Sequence, residues 1–219
     1  MEENREQKKM NGPLIYAIVG VAVLIVAVAG SAYAYYAATA TGNISGTAAG
    51  AGLSLTVEKV SKGANGNLIP IDADPTTLTK AAKGWTGSAI GTSWNDSYAC
   101  KDKNGYSVCQ IYKVILTNSS SVAMKFNIGV TSLSGTKTPN IDVVKMASNI
   151  SVTDVTSIKD SATGIANDVT VSANGTSSTY YIMVFIKNDQ VEAQTDEGAF
   201  SGTVTAVSTT GSQVKANFG

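Results

Sequence analysis

Hydrophobic residues are arranged along this chain in two ways, as one unbroken run near the start and as a series of short runs after it. The unbroken run covers residues 14–29 and follows the basic residues Arg5, Lys8 and Lys9. The later runs alternate or are rich in β-branched residues, and Gly, Asn, Asp, Ser or Pro separate them, which is typical of strands. They predict strands at residues 53–60, 108–117, 124–133, 141–146, 150–158, 168–172, 179–186 and 200–207.

The short runs also predict the fold class. Strands of this spacing, with at most one or two helical turns at residues 77–83, indicate an all-β protein. We expect an antiparallel sandwich of jelly-roll or immunoglobulin-like architecture, preceded by an N-terminal hydrophobic signal or anchor helix and a flexible donor-strand arm. The boundaries are 1–34 for the signal or anchor, 35–52 for the arm and 53–219 for the sandwich domain. The loop-like stretch 61–96 carries Trp85 and Trp94, which we expect to pin it to the sheet.

The unbroken run has the features of an export signal. The small residues Ala32 and Ala34 form a signal peptidase site that would make Tyr35 the first mature residue. A second interpretation keeps the run as a membrane anchor, and a prepilin-type signal would keep it as a filament core. In each case the basic flank holds residues 1–12 in the cytoplasm and sends residues 37–219 outside. The predicted location is extracellular, at the cell surface, with membrane contact only through this segment before cleavage.

Composition argues against catalysis. The chain has no His, its only Arg is Arg5, and its 16 basic and 16 acidic residues leave no net charge. The mature domain therefore lacks the usual general base, the commonest metal ligand and the bidentate anion-binding side chain. We predict no catalytic, cofactor-binding or metal-binding residues and no enzyme activity. Nucleic acid is not an expected partner, because there is no basic excess.

Cys100 and Cys109 flank Asn104–Gly105, the dipeptide type most strongly associated with a two-residue hairpin turn. With that turn, Lys101 faces Val108 and the two cysteines face each other in a non-hydrogen-bonded pair, where Cα atoms are closer. This separation suits a cross-strand disulfide, and an extracellular address favours oxidation. We predict a disulfide between them, and a redox switch or metal site is the lesser alternative.

Two further groups of polar residues could carry modification or bind a cation. Five Asn-x-Ser/Thr sequons would allow N-glycosylation in an exported protein, at Asn43, Asn95, Asn118, Asn149 and Asn174. Asp72, Asp74 and the acidic residues within 189–197 supply oxygen atoms of the kind that bind calcium. No calcium-loop pattern is present, and we expect these to be solvated loops.

Two stretches carry a family resemblance. The first is Ala32-Tyr-Ala-Tyr-Tyr36, followed by a Thr/Gly-rich arm with Ile44-Ser-Gly-Thr47 and by Leu53-Ser-Leu-Thr-Val57; the second is Phe200-Ser-Gly-Thr-Val-Thr-Ala206, after an acidic loop. They resemble the TasA/camelysin-type family of secreted β proteins, which includes biofilm-fibre subunits, and the similar archaeal bundling-pilus and thread subunits. The Trp-bearing loop and the Cys hairpin depart from the family pattern. The metalloprotease activity ascribed to camelysin-type members is not carried over, because the chain has no His.

The resemblance implies a self-assembling filament subunit whose N-terminal strand inserts into the sheet of the next subunit. The arm agrees with this, since alternate residues form one small, largely apolar face that suits a shallow groove: Tyr36, Ala38, Ala40 and Ile44. Such a head-to-tail contact generates an open homopolymer of identical subunits. We therefore predict a structural subunit of a pilus or biofilm-matrix fibre. The alternative is a membrane-anchored β-sandwich that acts as a surface adhesion or binding protein.

Overall fold

The computed structural model describes residues 38–39, 46–50, 52–61, 67–84, 98–135, 140–188 and 200–219. Within these ranges the chain forms twelve strands and one helix. The strands are β1 (Ala38–Thr39), β2 (Gly46–Gly50), β3 (Leu53–Lys59), β4 (Asn67–Leu68), β5 (Cys109–Asn118), β6 (Met124–Gly135), β7 (Ile141–Met146), β8 (Ser161–Val171), β9 (Gly175–Thr176), β10 (Tyr180–Ile186), β11 (Phe200–Ser208) and β12 (Gln213–Phe218), and the helix is α1 (Pro75–Lys83).

The strands make two antiparallel sheets that pack face to face. The first sheet has the order β2-β3-β5-β10-β7, with the short β9 also paired to β5, and the second has the order β12-β11-β6-β8. β1 and β4 form a separate two-stranded ladder. The prediction of an all-β antiparallel sandwich is therefore confirmed.

A hydrophobic core fills the space between the two sheets. In β3 the residues Leu53, Leu55 and Val57 are buried while the residues between them are partly exposed, which is the alternation visible in the sequence. β12 contributes the buried Phe218, whose ring lies against Tyr112 of β5 with ring centroids 4.8 Å apart. The core therefore ties the C-terminal strand of one sheet to a central strand of the other.

The first sheet is also covered on its opposite face, by α1 and by the chain from residue 98 to 108, which together we call the outer layer. Leu78 of α1 is fully buried there in a second core that includes Ile111 of β5 and Phe185 of β10. Because both faces of β5 and β10 are buried, β10 appears in the sequence as a continuous apolar run, and β5 carries apolar residues on both faces with Gln110 and Lys113 among them. The predicted helical turns at 77–83 lie within α1, whose N-cap is Asp74. The stretch 61–96, which was expected to be loop-like, therefore contains a helix.

The prediction of a strand at residues 150–158 is wrong. This segment contacts its neighbours through isolated hydrogen bonds, such as the 2.9 Å bond from Ile158 N–H to Val143 O. The carboxylate of Asp154 accepts the N–H and hydroxyl of Thr156, and the side chain of Asn149 does the same for Ser151. Side chains that bond their own backbone two residues on compete with a sheet ladder.

The second sheet differs from the prediction at two strands. β8 begins at Ser161, seven residues before the predicted start at 168, because Gly129 of β6 leaves room for its first residues. β12 was not predicted at all, and it makes β11 the penultimate strand. Its pattern is nevertheless a clean alternation, with Val214, Ala216 and Phe218 buried and the residues between them exposed.

Candidate strand-exchange site

The last part of the predicted arm forms an edge strand of the first sheet. Strand β2 pairs antiparallel with β3, with Gly46 opposite Val57 and Gly50 opposite Leu53. Its sequence, Gly-Thr-Ala-Ala-Gly, contains only small residues. Such a strand attaches to the sheet through main-chain hydrogen bonds.

A second piece of the arm pairs elsewhere on the domain. Strand β1 pairs antiparallel with β4, with Ala38 opposite Leu68 and Thr39 opposite Asn67. Leu68 is fully buried in the core between the sheets, so β4 is anchored to the domain. Of the four predicted donor-strand residues, Ala38 lies in β1, whereas Tyr36, Ala40 and Ile44 lie outside the described residues, as do Ala32, Ala34 and Tyr35 at the predicted cleavage site.

The edge of the first sheet at β7 is closed. Val143 N–H is bonded to the carboxylate of Asp142 at 2.7 Å, and Val143 O accepts the N–H of Ile158 at 2.9 Å. Ser157 donates to the same carboxylate of Asp142. The chain after β7 therefore runs along this edge and occupies main-chain groups that another strand would need.

The edge of the second sheet at β8 is irregular. The pairing of β8 with β6 shifts register twice, between Phe126 and Ile128 and again between Ile128 and Val130. At the first shift Asp168 adopts a φ of 53° and donates its N–H to the side chain of Asn127. Bulges of this kind twist an edge strand away from a flat ladder and discourage further pairing.

The opposite side of the sandwich has regular edges. β12 keeps register with β11 over six pairs, from Gly202–Phe218 to Val207–Gln213, and it packs beside β2 and β3. Within the described ranges, no strand pairs with the outer edge of β2 or of β12. The end of the arm, β2, lies on this side.

The predicted disulfide is confirmed, but the predicted turn is wrong. Cys100 and Cys109 are bonded, with Cα atoms 4.9 Å apart. Asp102 N–H donates to Tyr106 O, so the loop contains residues 103–105 and the register shifts by one from the two-residue turn. The carboxylate of Asp102 causes this, because it accepts the N–H groups of residues 104 and 106, at 2.9 and 2.8 Å. Gly105, with a φ of 87°, supplies the left-handed position that a three-residue loop requires.

Charged and polar groups of the first sheet serve structure. Lys113 of β5 and Glu58 of β3 face each other and form a 2.6 Å ion pair, which contributes little because it is exposed. Tyr112 donates its hydroxyl to Gln110 Oε1 at 2.5 Å inside the protein, and burial raises the pKa of this phenol. Burial also lowers the pKa of Lys59.

Of the predicted glycosylation residues, Asn149 and Asn174 are exposed, while Asn43 and Asn95 lie outside the described residues. Asn118 is fully buried. Its amide nitrogen donates to the carbonyl oxygens of Val122, Val171 and Ser172, so a glycan there is incompatible with the folded domain. We withdraw Asn118 from the candidates.

The aspartates at the start of α1 have structural partners. Asp74 accepts the N–H of Thr77 at 2.9 Å as the N-cap, and this bonding lowers the pKa of its carboxyl. Asp72 accepts the side-chain amide of Asn188 at 2.8 Å. In the described part of the chain, no three acidic, Cys or His side chains cluster as metal ligands would. The acidic loop 189–197, Trp85 and Trp94 lie outside the described residues.

No helix in the described ranges is long and apolar enough to cross a membrane. The predicted signal or anchor run at 14–29 lies outside those ranges. The disulfide is typical of proteins that fold in an oxidising compartment, and it is the structural feature that bears on location.

No family model and no curated protein matches the chain. Among solved structures it is similar to the GAE domain of yeast GGA1, at 7% identity and a TM-score of 0.32, over 77% of this chain and 91% of that one. It is also similar to a FixG-related protein from Vibrio parahaemolyticus, at 9% identity and a TM-score of 0.26, over 50% of this chain and 73% of that one. At these TM-scores neither likeness carries an argument, and the resemblance to the TasA/camelysin-type family stays a prediction.

Proposed function

We propose that this protein is the structural subunit of an extracellular filament, a pilus or biofilm-matrix fibre. In the proposal, subunits join head to tail when the arm of one pairs with the sandwich domain of the next. The observation that carries it is the attachment of the arm, which pairs Ala38–Thr39 with Asn67–Leu68 and Gly46–Gly50 with β3. Both attachments are strand pairings.

Strand pairings of this kind are transferable between copies of a chain. β1 of a second copy offers the same main-chain groups, so it can make in trans the pairing with β4 that it makes here in cis. β2 stays with its own domain, because Gly50 faces Leu53 and only two residues join β2 to β3. Residues 40–45 connect β1 to β2 and, if extended, span about 20 Å, so the neighbouring domain must lie within that distance of β2. The exchange links each subunit to the next, while the number of hydrogen bonds per subunit stays the same.

The separation of donor and acceptor gives the proposed polymer a direction. The donor is β1, and the acceptor is β4, which forms with β1 a ladder apart from the two sheets. A subunit that gives its arm from one place and receives an arm at another forms an open chain.

The rest of the proposal follows from the sequence. Residues 1–34 act as a signal peptide, the sandwich has jelly-roll or immunoglobulin-like architecture, and the protein resides at the cell surface. The confirmed disulfide supports export, because such bonds persist in oxidising surroundings. Asn149 and Asn174 are the described residues at which a glycan would be accessible.

Two cysteine variants test the exchange directly. One chain carries Thr39→Cys and the other carries Asn67→Cys, at positions that face each other across β1 and β4. Filaments grown from an equal mixture should form disulfide-linked dimers joining residue 39 of one chain to residue 67 of the other. Exchange of this part of the arm would be refuted by two results together. The mixture would form filaments without the cross-link between chains, and a chain carrying both substitutions would form only the disulfide within that chain.

A deletion of residues 35–45 is the companion experiment. It removes the predicted donor strand and leaves β2, so the domain should fold and remain monomeric by electron microscopy and light scattering. Fibres from this shortened chain would sink the proposal. The intact mass of native material separates the alternative, since retention of residues 1–34 in a membrane fraction without fibres would favour the anchored adhesion protein.

A further inference from the structure

Tyr98 and Tyr181 form a close aromatic pair between the outer layer and the first sheet. Their rings are stacked, with centroids 5.6 Å apart and planes inclined by 29°. Both side chains border the second core while keeping part of their surface exposed. The stacking places the two phenol rings against each other.

We propose that this pair is an oxidative cross-linking site, at which a peroxidase with hydrogen peroxide joins Tyr98 to Tyr181 as dityrosine. Each phenol loses one electron and one proton to the oxidant, and the two phenoxyl radicals form a carbon–carbon bond between their ortho carbons. The ortho hydrogens then move to the oxygens and restore both phenols. The two electrons and two protons reduce one peroxide to two waters, so the protein loses two hydrogen atoms.

The other described tyrosines lack this combination of ring contact and access. Tyr112 is fully buried, and its ring lies against Phe218, which cannot form a phenoxyl radical. Tyr180 packs on the opposite face of β10, beneath the ammonium group of Lys145 at 5.8 Å from the ring centroid. Tyr106 is 60% exposed, and no ring of the described residues stacks on it. Tyr106 is therefore suited to coupling between molecules rather than within one.

The position of the pair gives the cross-link a structural consequence. Tyr98 lies two residues before Cys100, at the start of the disulfide hairpin, whereas Tyr181 lies in β10, which pairs with β5. A bond between them would fasten the outer layer to the first sheet at a second point. Burial, and then the neighbouring hydroxyl, raise the pKa of Tyr98, so the phenol stays protonated and gives up its proton together with the electron. This inference does not depend on the filament proposal.

The test treats the chain from residue 35 with horseradish peroxidase and limiting peroxide at low protein concentration. Dityrosine fluorescence should appear in material that still migrates as a monomer, with a mass lower by two hydrogens. After disulfide reduction and digestion, mass spectrometry should find the peptide containing Tyr98 joined to the peptide containing Tyr181. Dityrosine that forms only between molecules, or that joins other positions, would overturn the proposal.

Four single variants identify the participants. Tyr98→Phe and Tyr181→Phe should each lower the monomeric dityrosine signal at least tenfold, whereas Tyr180→Phe and Tyr106→Phe should leave it within twofold of the parent. Tyr180→Phe is the matched control, because it is the adjacent residue on the same strand and in the same peptide. Monomeric product that survives Tyr181→Phe would refute the assignment. Oxidation of the parent in urea should also abolish this cross-link if the folded pairing directs it.

Discussion

Gly202 and Phe218 are a cross-strand pair in which one residue makes room for the other. They face each other in β11 and β12, and both are buried in the core between the sheets. A Cβ atom added at Gly202 would lie 2.2 Å from Cζ of Phe218 and 2.6 Å from Cε1 of the same ring. The ring is buried and also lies against Tyr112, which hinders its movement away from Gly202. We expect Gly202→Ala to be destabilising in the parent and harmless once the ring is removed.

The magnitudes follow from packing. Overpacking a filled core costs about 1–3 kcal/mol, and we assign about 2 kcal/mol to Gly202→Ala. Truncation of a buried aromatic side chain costs about 3–5 kcal/mol, and we assign about 4 kcal/mol to Phe218→Ala. In the double variant the clash is gone, and the new methyl group fills part of the cavity, which contributes about 0.8 kcal/mol. The double variant should therefore unfold with a free energy equal to or slightly above that of Phe218→Ala alone.

Urea denaturation of the parent, the two single variants and the double variant, analysed with one m-value for all, measures the coupling free energy between residues 202 and 218. The expected coupling between the two sites is about 2–3 kcal/mol in favour of the double variant. Independent sites add within about 0.5 kcal/mol. Additive behaviour within that margin would refute the argument that Gly202 is required by the ring of Phe218.

Three other predictions concern the outer layer and the buried phenol. Asp74→Ala should lower the free energy of unfolding by about 1 kcal/mol in urea at neutral pH, and Asp74→Asn by clearly less. Hydrogen bonding from Thr77 holds the pKa of Asp74 below its ordinary 3.8. The difference in unfolding free energy between the parent and Asp74→Asn should therefore vanish as pH falls through the lowered pKa of the folded state. Replacing both cysteines by Ala should cost about 2.5 kcal/mol, from the sequence separation of 9. Hydrogen exchange should place that loss in α1 and residues 98–108, and equal loss in both sheets would contradict it. Burial raises the pKa of Tyr112, so its contribution should be present below the ordinary value of 10.0 and decline above it. Thermal melts across that range should show a smaller alkaline loss in Tyr112→Phe.

Much of the sandwich was predictable because one face of each strand is buried. β3 and β7 begin where the alternation of apolar residues begins, and β7 was predicted at its observed bounds. The apolar-rich segments of β5 and β10 were also recognised as strands. The sequence did not reveal what covers their second face, because a strand buried on both faces has the same pattern whatever lies against it.

The candidate site was predictable in part. The disulfide between Cys100 and Cys109 could be identified from local sequence. The pairing of Ala38 with Leu68 could not, because β4 is only two residues long and its partner lies far away in the chain. The burial of Asn118 could not be predicted either, since its partners Val171 and Ser172 belong to another strand and the turn after it.

Local patterns determined most of the strands of the two sheets, the presence of helical turns near residue 77 and the cysteine pair, because periodicity and close spacing act over a few residues. Tertiary structure alone decided that a third layer covers the first sheet, that residues 150–158 lack a ladder, that the edge at β7 is closed and that the edge at β8 is irregular. These features depend on contacts between segments distant in sequence, such as Ile158 with Val143 and Gly129 with Ser161. The free energy of such contacts depends on which surfaces meet, and no window of neighbouring residues contains that information.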